Sequence, residues 1–173
     1  MEKLLGEKRR HYILEQLKTA NTPVSGSELA KAANVSRQVI VQDISLLKAK
    51  DEPITATPQG YVYVRPETDN RIRKIIAVNH TKAETEQELT LLVDCGITVV
   101  DVTVEHPIYG EITAALHVKN RFDVDKFIQK VRTTNASLLA ELTGSVHLHT
   151  IEADTEEQIS KGIAALDKAG FLI

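Results

Sequence analysis

Two histidines in a short alternating run are the residues of this sequence whose types and spacing first indicate chemistry. The stretch GSVHLHT, residues 144–150, places His147 and His149 two positions apart. Side chains alternate between the two faces of a β-strand, so both imidazoles would project from one face, about 7 Å apart along the chain. Because neutral imidazole is a common metal ligand, the pair is either part of a metal site or two surface histidines without a task.

A mononuclear metal site takes three or four ligands from different elements, so the strand pair needs partners elsewhere in the chain. Candidates near the ends of predicted elements are His80 and Glu88, with His106 and His117 in reserve. Glu84 lies one helical turn before Glu88 and is a candidate substitute or supporting residue. Imidazole and carboxylate donors suit a borderline divalent ion such as zinc, nickel, cobalt or iron, and the residue types alone do not choose among them.

The composition is that of an ordinary globular protein. Of the 173 residues, 42% are hydrophobic and 26% are charged, which suits one large domain or two small ones. The single cysteine, Cys95, excludes an internal disulfide framework and an all-cysteine zinc site. The N-terminus is too charged for a signal peptide, and no run reaches the roughly 18 apolar residues of a membrane span. We therefore expect a cytoplasmic protein without a membrane partner.

Charge divides the chain into two parts. Residues 1–66 contain ten lysines and arginines against seven acidic residues, net +3, whereas residues 67–173 contain eleven against seventeen, net −6. A basic N-terminal part and an acidic C-terminal part indicate two domains with different functions. The boundary is expected in RPETDN, Arg65–Asn70, where polar residues and a proline interrupt the hydrophobic pattern.

The first 66 residues predict three helices and a hairpin. EKRRHYILEQLKTAN has apolar residues near one helix face, and its basic cluster, residues 8–10, indicates either an external anion or a solvated surface. Ser25 or Ser27 can cap a second helix, and Ser36 caps a third that runs to about Lys50. The tight ANVS turn has helix-turn-helix spacing, and ITATPQGYVYV is typical of a hairpin wing. Together these elements predict a winged helix-turn-helix.

The third predicted helix carries residue types that suit DNA. In a helix-turn-helix the second helix of the pair enters the major groove. Arginine reads guanine and glutamine reads adenine through paired hydrogen bonds, while serine and lysine suit phosphate groups. Such residues can also merely solvate a helix, but the preceding helix, turn and wing favour DNA. The residues predicted to contact double-stranded operator DNA are Ser36, Arg37, Gln38, Val41, Gln42 and Lys48.

Residues 67–173 have an α/β pattern in the order βαββαβα. The β-type runs are RIRKIIAVNH, ITVVDVTVE, EITAALHV and SVHLHTIEA. The intervening and final stretches have helical periodicity, with Asp123 and Thr155 as expected caps. We expect a mixed sheet with helices on one side, a ferredoxin-like α/β sandwich, and hence an α+β fold class for the chain.

Two residues in EHPIYG are candidate effector contacts. Its proline and glycine constrain a turn between two predicted strands. His106 can hydrogen-bond a carboxylate, and Tyr109 can stack on an aromatic ring. The alternative is structural: a turn histidine satisfied by the backbone and a packed tyrosine.

These motifs resemble a known family. ELAKAANVSRQVIVQDISLLKAK is similar to the winged helix-turn-helix of biotin-repressor-like regulators, a widespread type that indicates DNA binding but no particular ligand. NHTKAETEQEL, VEHPIYGEI and LTGSVHLHTIEA resemble the three-histidine (3H) domain of the niacin-responsive transcriptional repressors of Gram-positive and Thermotoga-like bacteria. The resemblance covers essentially the whole chain, in the family's order.

The resemblance implies a function, a ligand set and partners. It implies a repressor rather than an enzyme, with nicotinic acid as co-repressor and with genes of NAD biosynthesis or niacin uptake under its control. We expect a homodimer, because near-palindromic operators require a two-fold protein, and the acidic domain is the expected dimer contact. The resemblance also implies a metal, for which nickel or zinc is our first expectation, held by His80, Glu88, His147 and His149.

Two other functions use the same residues. A metal sensor would bind DNA in response to the metal itself, without an organic ligand. A metallohydrolase would need a general acid or base near the ion, for which the candidates are Glu84, Glu105 and Glu111. The chain has no nucleophile motif, phosphate loop or paired-carboxylate spacing, which disfavours an enzyme.

Overall fold

A computed structural model describes residues 5–64 and 71–173 of the chain. The chain divides into two units, Met1–Glu67 and Thr68–Ile173. The segment expected to join the domains, Arg65–Asn70, lies outside the described residues. Within the two described ranges, no helix is long and apolar enough to cross a membrane.

The first unit is a winged helix-turn-helix, as predicted. An antiparallel hairpin, β1 and β2, follows three helices, and a buried cluster that includes Ile13, Ile40 and Ile44 holds the helices together. The elements are α1 (Gly6–Thr19), α2 (Gly26–Ala33), α3 (Arg37–Lys48), β1 (Ile54–Thr57) and β2 (Gly60–Tyr63).

Side-chain caps set the ends of the two helices around the turn. Ser25, rather than Ser27, caps α2, because its hydroxyl accepts the Glu28 N–H while the Glu28 carboxylate accepts the Ser25 N–H. Asn34 ends α2 in the left-handed conformation, at φ 53°. Ser36 then caps α3. The tight turn therefore follows from local residue chemistry.

The basic cluster at the start of α1 has an internal partner. Asp43 of α3 is only 2% exposed, and its carboxylate forms ion pairs with Arg9 and Arg10. An internal carboxylate therefore accounts for the charge of these two arginines, an alternative that the sequence analysis did not consider. The contact ties α1 to α3.

The second unit has the predicted βαββαβα order, with two short 3-10 helices, Lys82–Glu84 and Leu139–Thr143, that the sequence analysis did not predict. Asn120, and not Asp123, caps α5, because the Asn120 side chain accepts the Asp123 N–H. The elements are β3 (Ile72–Asn79), α4 (Thr85–Asp94), β4 (Thr98–His106), β5 (Gly110–Val118), α5 (Arg121–Thr134), the 3-10 helix Leu139–Thr143, β6 (Val146–Ala153) and α6 (Glu156–Ala169).

The four strands of this unit form one sheet in the order β3-β6-β4-β5. All three neighbouring pairs are antiparallel, so the expectation of a mixed sheet is wrong. The crossover through α4 does leave β3 and β4 parallel to each other, but β6 lies between them. The last and second strands of the unit are therefore central, whereas a ferredoxin-like sheet has its first and third strands there.

The helices cover one face of this sheet. The core joins strand residues such as Val78 and Ile151 to helix residues such as Leu89 and Leu166. α6 approaches closely at Gly162, where an added Cβ would lie 2.2 Å from Ile97 Cδ1. The buried face of β6 thus meets the helical layer.

Candidate metal centre

The two strand histidines lie side by side on the buried face of β6. His147 pairs with Val78 and His149 with Ile76 of the neighbouring strand, and both of these partners belong to the core. His147 is 4% exposed and His149 is 3% exposed. The alternation of the sequence therefore places both imidazoles inside the unit rather than on its surface.

Glu88 and His80 meet the strand histidines from two other elements. His80 follows directly after β3, and Glu88 projects from the first turns of α4, where it is completely buried. The distance from Glu88 Oε2 to His80 Nε2 is 2.7 Å and to His147 Nε2 is 4.0 Å, and Glu88 Oε1 lies 3.3 Å from His149 Nε2. The structure thus brings together the four side chains in which the sequence analysis placed the metal.

All three imidazoles are oriented by backbone carbonyl groups. The Nδ1 atoms of His80, His147 and His149 lie 2.9, 2.8 and 2.6 Å from carbonyl oxygens. Because a carbonyl only accepts hydrogen bonds, each Nδ1 donates a proton and each neutral ring leaves its Nε2 lone pair facing the carboxylate. The accepting carbonyls belong to Thr81, Ser145 and Asp101.

The donor set fits a divalent cation. A neutral His80 uses its one N–H, at Nδ1, to donate to a carbonyl, so its Nε2 has only a lone pair. That lone pair would repel the Glu88 carboxylate unless a second proton or a cation lies between them. Glu88 Oε1 is buried and accepts no hydrogen bond from the described residues. Ligand atoms that lie about 2.1 Å from one ion are within about 4 Å of one another. The ligand atoms of His80, Glu88 and His147 lie within 4.8 Å of one another, and His149 Nε2 lies 3.3 Å from the other oxygen of Glu88.

The pKa values of the cluster reflect the same coupling. Burial by itself would raise the pKa of Glu88, but His149 and His80 lower it well below its ordinary range. Burial opposes protonation of both these histidines, yet the carboxylate raises the pKa of each. His147 differs, because burial lowers its pKa. Glu88 therefore carries a negative charge at neutral pH that a cation would neutralise.

A cavity of about 50 Å³ adjoins the four side chains. One water molecule needs roughly 10–15 Å³, so the cavity has room for a few water molecules or part of a larger ligand. Most of the remaining wall is apolar. Two parts of it, Phe127 and the stretch Leu138–Ala140, were not identified from the sequence. The rest of the wall consists of Thr85, Leu89, Val102, Leu116, Phe127, Leu138, Leu139 and Ala140.

The two candidate effector contacts lie at the tip of the β4-β5 hairpin, and neither is among the described residues that line the cavity. His106 Nδ1 accepts the N–H groups of Ile108 and Tyr109 at 3.2 and 3.4 Å. The rings of His106 and Tyr109 stack with centroids 5.0 Å apart, and Tyr109 is 76% exposed. These contacts account for His106 as a turn residue, while an effector role for the pair stays a prediction.

Glu84 and His117, the reserve candidates for metal binding, have surroundings that differ from those of the four clustered side chains. Glu84 accepts hydrogen bonds from the N–H and hydroxyl of Thr81, the residue whose carbonyl orients His80. Glu84 thereby supports the turn that holds a candidate ligand. His117 lies in β5, where burial lowers its pKa.

The predicted DNA contacts lie along α3 and at its N-terminal cap. Arg37, Gln38, Gln42 and Lys48 are exposed, and Val41 is half-buried. Ser36 is exposed as well, although its hydroxyl accepts the Val39 N–H at 3.4 Å. Arginine and glutamine side chains on the open face of this helix are free of the core and suited to base edges.

Comparisons with known proteins agree with this division. Residues 9–62 match an HTH domain, and residues 73–173 match the 3H domain. The chain is 53% identical over 173 residues to "Transcription repressor NadR" of Bacillus subtilis (strain 168), covering 99% of this chain and 96% of that protein. It is 41% identical over 171 residues to "Probable transcription repressor NiaR" of Thermotoga maritima, covering 99% and 97%. Both relatives are named as repressors and not as enzymes.

Proposed function

Because the chain belongs to the 3H-domain family of transcription repressors, we propose that it represses its genes with nicotinic acid as co-repressor and with one divalent metal in the 3H domain. The genes would serve NAD biosynthesis or niacin uptake, as the resemblance of its motifs implies. The protein would act in the cytoplasm on double-stranded operator DNA. Family membership supports the repressor function, and the cavity supports the ligand.

The observation that carries the proposal is a buried cluster of three histidines and one glutamate beside an apolar cavity. His80, Glu88, His147 and His149 would hold the ion, for which nickel or zinc is the first choice. When bound, the ion supplies an open coordination position for an anionic ligand. The face of a pyridine ring suits the wall of Phe127 and leucine side chains, so the ring of nicotinic acid matches the apolar part of the cavity, while its carboxylate would depend on the bound ion for its counter-charge.

Co-repression requires that the two binding events be coupled. If nicotinic acid tightens operator binding, ligand binding in the 3H domain and DNA binding by α3 share a coupling free energy. The exposed Arg37 and Gln38 of α3 are the proposed base contacts. A two-fold operator calls for a dimer. We place the dimer contact in the 3H domain.

Operator binding with and without nicotinic acid tests the proposal. The metal-loaded protein is titrated onto a DNA fragment from upstream of its own gene, alongside His147→Ala and the control His11→Ala, which changes an exposed histidine. We expect nicotinic acid to tighten wild-type and His11→Ala binding about tenfold, which corresponds to about 1.4 kcal/mol. His147→Ala should bind DNA without responding to nicotinic acid.

Two outcomes would contradict the proposal in different ways. If removal and return of the metal change DNA affinity while nicotinic acid has no effect, the protein is a metal sensor. If His147→Ala responds to nicotinic acid as the wild type does, the histidine cluster is not the effector site.

A further inference from the structure

Thr85 contributes a buried hydroxyl to the cavity wall. It is the first residue of α4, is only 7% exposed and lines the same cavity as Glu88. Its Oγ1 has no hydrogen-bond partner among the described residues. A buried hydroxyl without a partner is costly, so its presence at the cavity wall points to a hydrogen-bond partner held in the cavity.

Other threonines in the helices satisfy their hydroxyls locally. Each of them donates to the carbonyl four residues earlier in the chain. These residues are Thr19, Thr90, Thr133 and Thr134. For Thr85 the equivalent carbonyl is that of Thr81, which already accepts from His80 Nδ1 at 2.9 Å and from the Glu84 N–H at 3.0 Å. The carbonyl that would usually accept from the Thr85 hydroxyl is thus already used, in part to orient His80.

The charge of the cavity wall fixes which end of a pyridine carboxylate would face Thr85. No lysine or arginine is among the described residues that line the cavity. The charge of the carboxylate would therefore be balanced only by the cation held at Glu88 and the histidines. The ring nitrogen is then left at the other end of the ligand, as an uncharged acceptor that needs an uncharged donor.

The spacing on α4 matches such a ligand. Thr85 and Glu88 are three residues apart, so they lie on one side of the helix with their Cβ atoms about 5–6 Å apart. We infer that Thr85 Oγ1 donates a hydrogen bond to the ring nitrogen of nicotinic acid and so selects pyridine over benzene carboxylates. The inference rests on the proposed function. A buried site that pairs a polar group discriminates strongly against an analogue that leaves the group unpaired.

Calorimetric titration with two acids tests this assignment. Nicotinic acid and benzoic acid are bound to the metal-loaded wild type, Thr85→Val and Thr85→Ser, with Thr90→Val as a matched control on the same helix. We expect Thr85→Val to lower the affinity for nicotinic acid about five- to tenfold and to change the affinity for benzoic acid less than about twofold. Only nicotinic acid loses a hydrogen bond in this variant. Thr85→Ser and Thr90→Val should resemble the wild type for both acids, and the bound metal content should be equal in all four proteins.

The outcomes separate this inference from the proposed function. Wild-type affinity of Thr85→Val for nicotinic acid would overturn the inference, and so would an equal loss for both acids, which would indicate a packing role. If the wild type itself binds no nicotinic acid, the proposed function fails, and the inference fails with it.

Discussion

Glu88 is the residue around which the candidate metal centre is arranged. A buried carboxylate without neighbours would take up a proton. Here three imidazoles approach it, and those of His80 and His149 keep its pKa low in spite of complete burial. Their own orientation comes from backbone carbonyls, which turn the Nε2 atoms toward the carboxylate. Such orientation suits metal affinity.

The same coupling predicts how pH acts on metal binding. Because His80 and His149 have raised pKa values, both rings are protonated below those values, and a metal must displace their protons. Apparent metal affinity should therefore rise with pH through the pKa values of these two histidines, by about tenfold per pH unit for each displaced proton. Competition with a chelator between about pH 6 and 8 measures it.

The metal-free protein provides the control, because these two histidines should then act on its stability in the opposite direction. A histidine whose folded pKa is raised stabilises the fold fully below its unfolded pKa of 6.5, and that contribution is lost as the pH rises through the folded pKa. Their contribution to the free energy of unfolding without metal should thus fall across the range in which metal affinity rises, while His147 and His117, whose pKa values are lowered, contribute with the opposite sign. Metal affinity that is constant from about pH 6 to 8 would contradict the assigned ligands.

At this scale the sequence predicted which polar side chains meet better than it predicted the wall of the cavity. The alternation around His147 and His149 requires one face, which is a property of any strand. Thr85 was missed because its importance depends on a hydroxyl left without an acceptor, which only the folded turn reveals. The apolar stretch Leu138–Ala140 was missed because short apolar runs do not distinguish a strand, a helix end or a ligand wall.

The recognition helix α3 is held in place by one buried ion-pair cluster. Asp43 lies on its inner face, where Arg9 and Arg10 of α1 reach the carboxylate. Its neighbour Gln42 points outward and is exposed. Adjacent positions on one helix thus differ, because Asp43 ties the helix to α1 and Gln42 is a predicted contact with DNA.

Removing the carboxylate should destabilise the first unit. Asp43→Ala removes a buried carboxylate that accepts charged hydrogen bonds from two partly buried arginines, so we expect the free energy of unfolding to fall by about 1.5–3 kcal/mol. Urea unfolding followed by circular dichroism measures the change. The control Gln42→Ala should stay within about 0.5 kcal/mol of the wild type in stability while operator binding weakens by about 1–3 kcal/mol. Asp43→Ala with wild-type stability would contradict this role.

Individual elements were more predictable than their arrangement in the sheet. Caps such as Ser36 and Thr155 act on N–H groups two or three residues away, so local sequence determines them. The antiparallel pairing of β3 with β6 joins residues such as Ile72 and Ala153 that are far apart in the chain. No local pattern encodes that neighbour, which is why a mixed sheet was expected.

At the scale of the whole molecule, charge and function divide at the same place. The basic N-terminal part carries the helix-turn-helix, and the acidic C-terminal part carries the 3H domain with its cavity. A repressor of this kind needs affinity for DNA in one unit and ligand selectivity in the other. Under the proposed function, ligand binding in the second unit changes DNA affinity in the first, which is a coupling free energy between two sites.

Because such coupling is reciprocal, the central claim is tested most directly from the ligand side. The dissociation constant of nicotinic acid is measured by calorimetry on the metal-loaded protein, with and without saturating operator DNA. We expect operator DNA to increase the affinity for nicotinic acid by the same factor, about tenfold, by which nicotinic acid increases the affinity for DNA. Equal affinity for nicotinic acid in the presence and absence of operator DNA would contradict it.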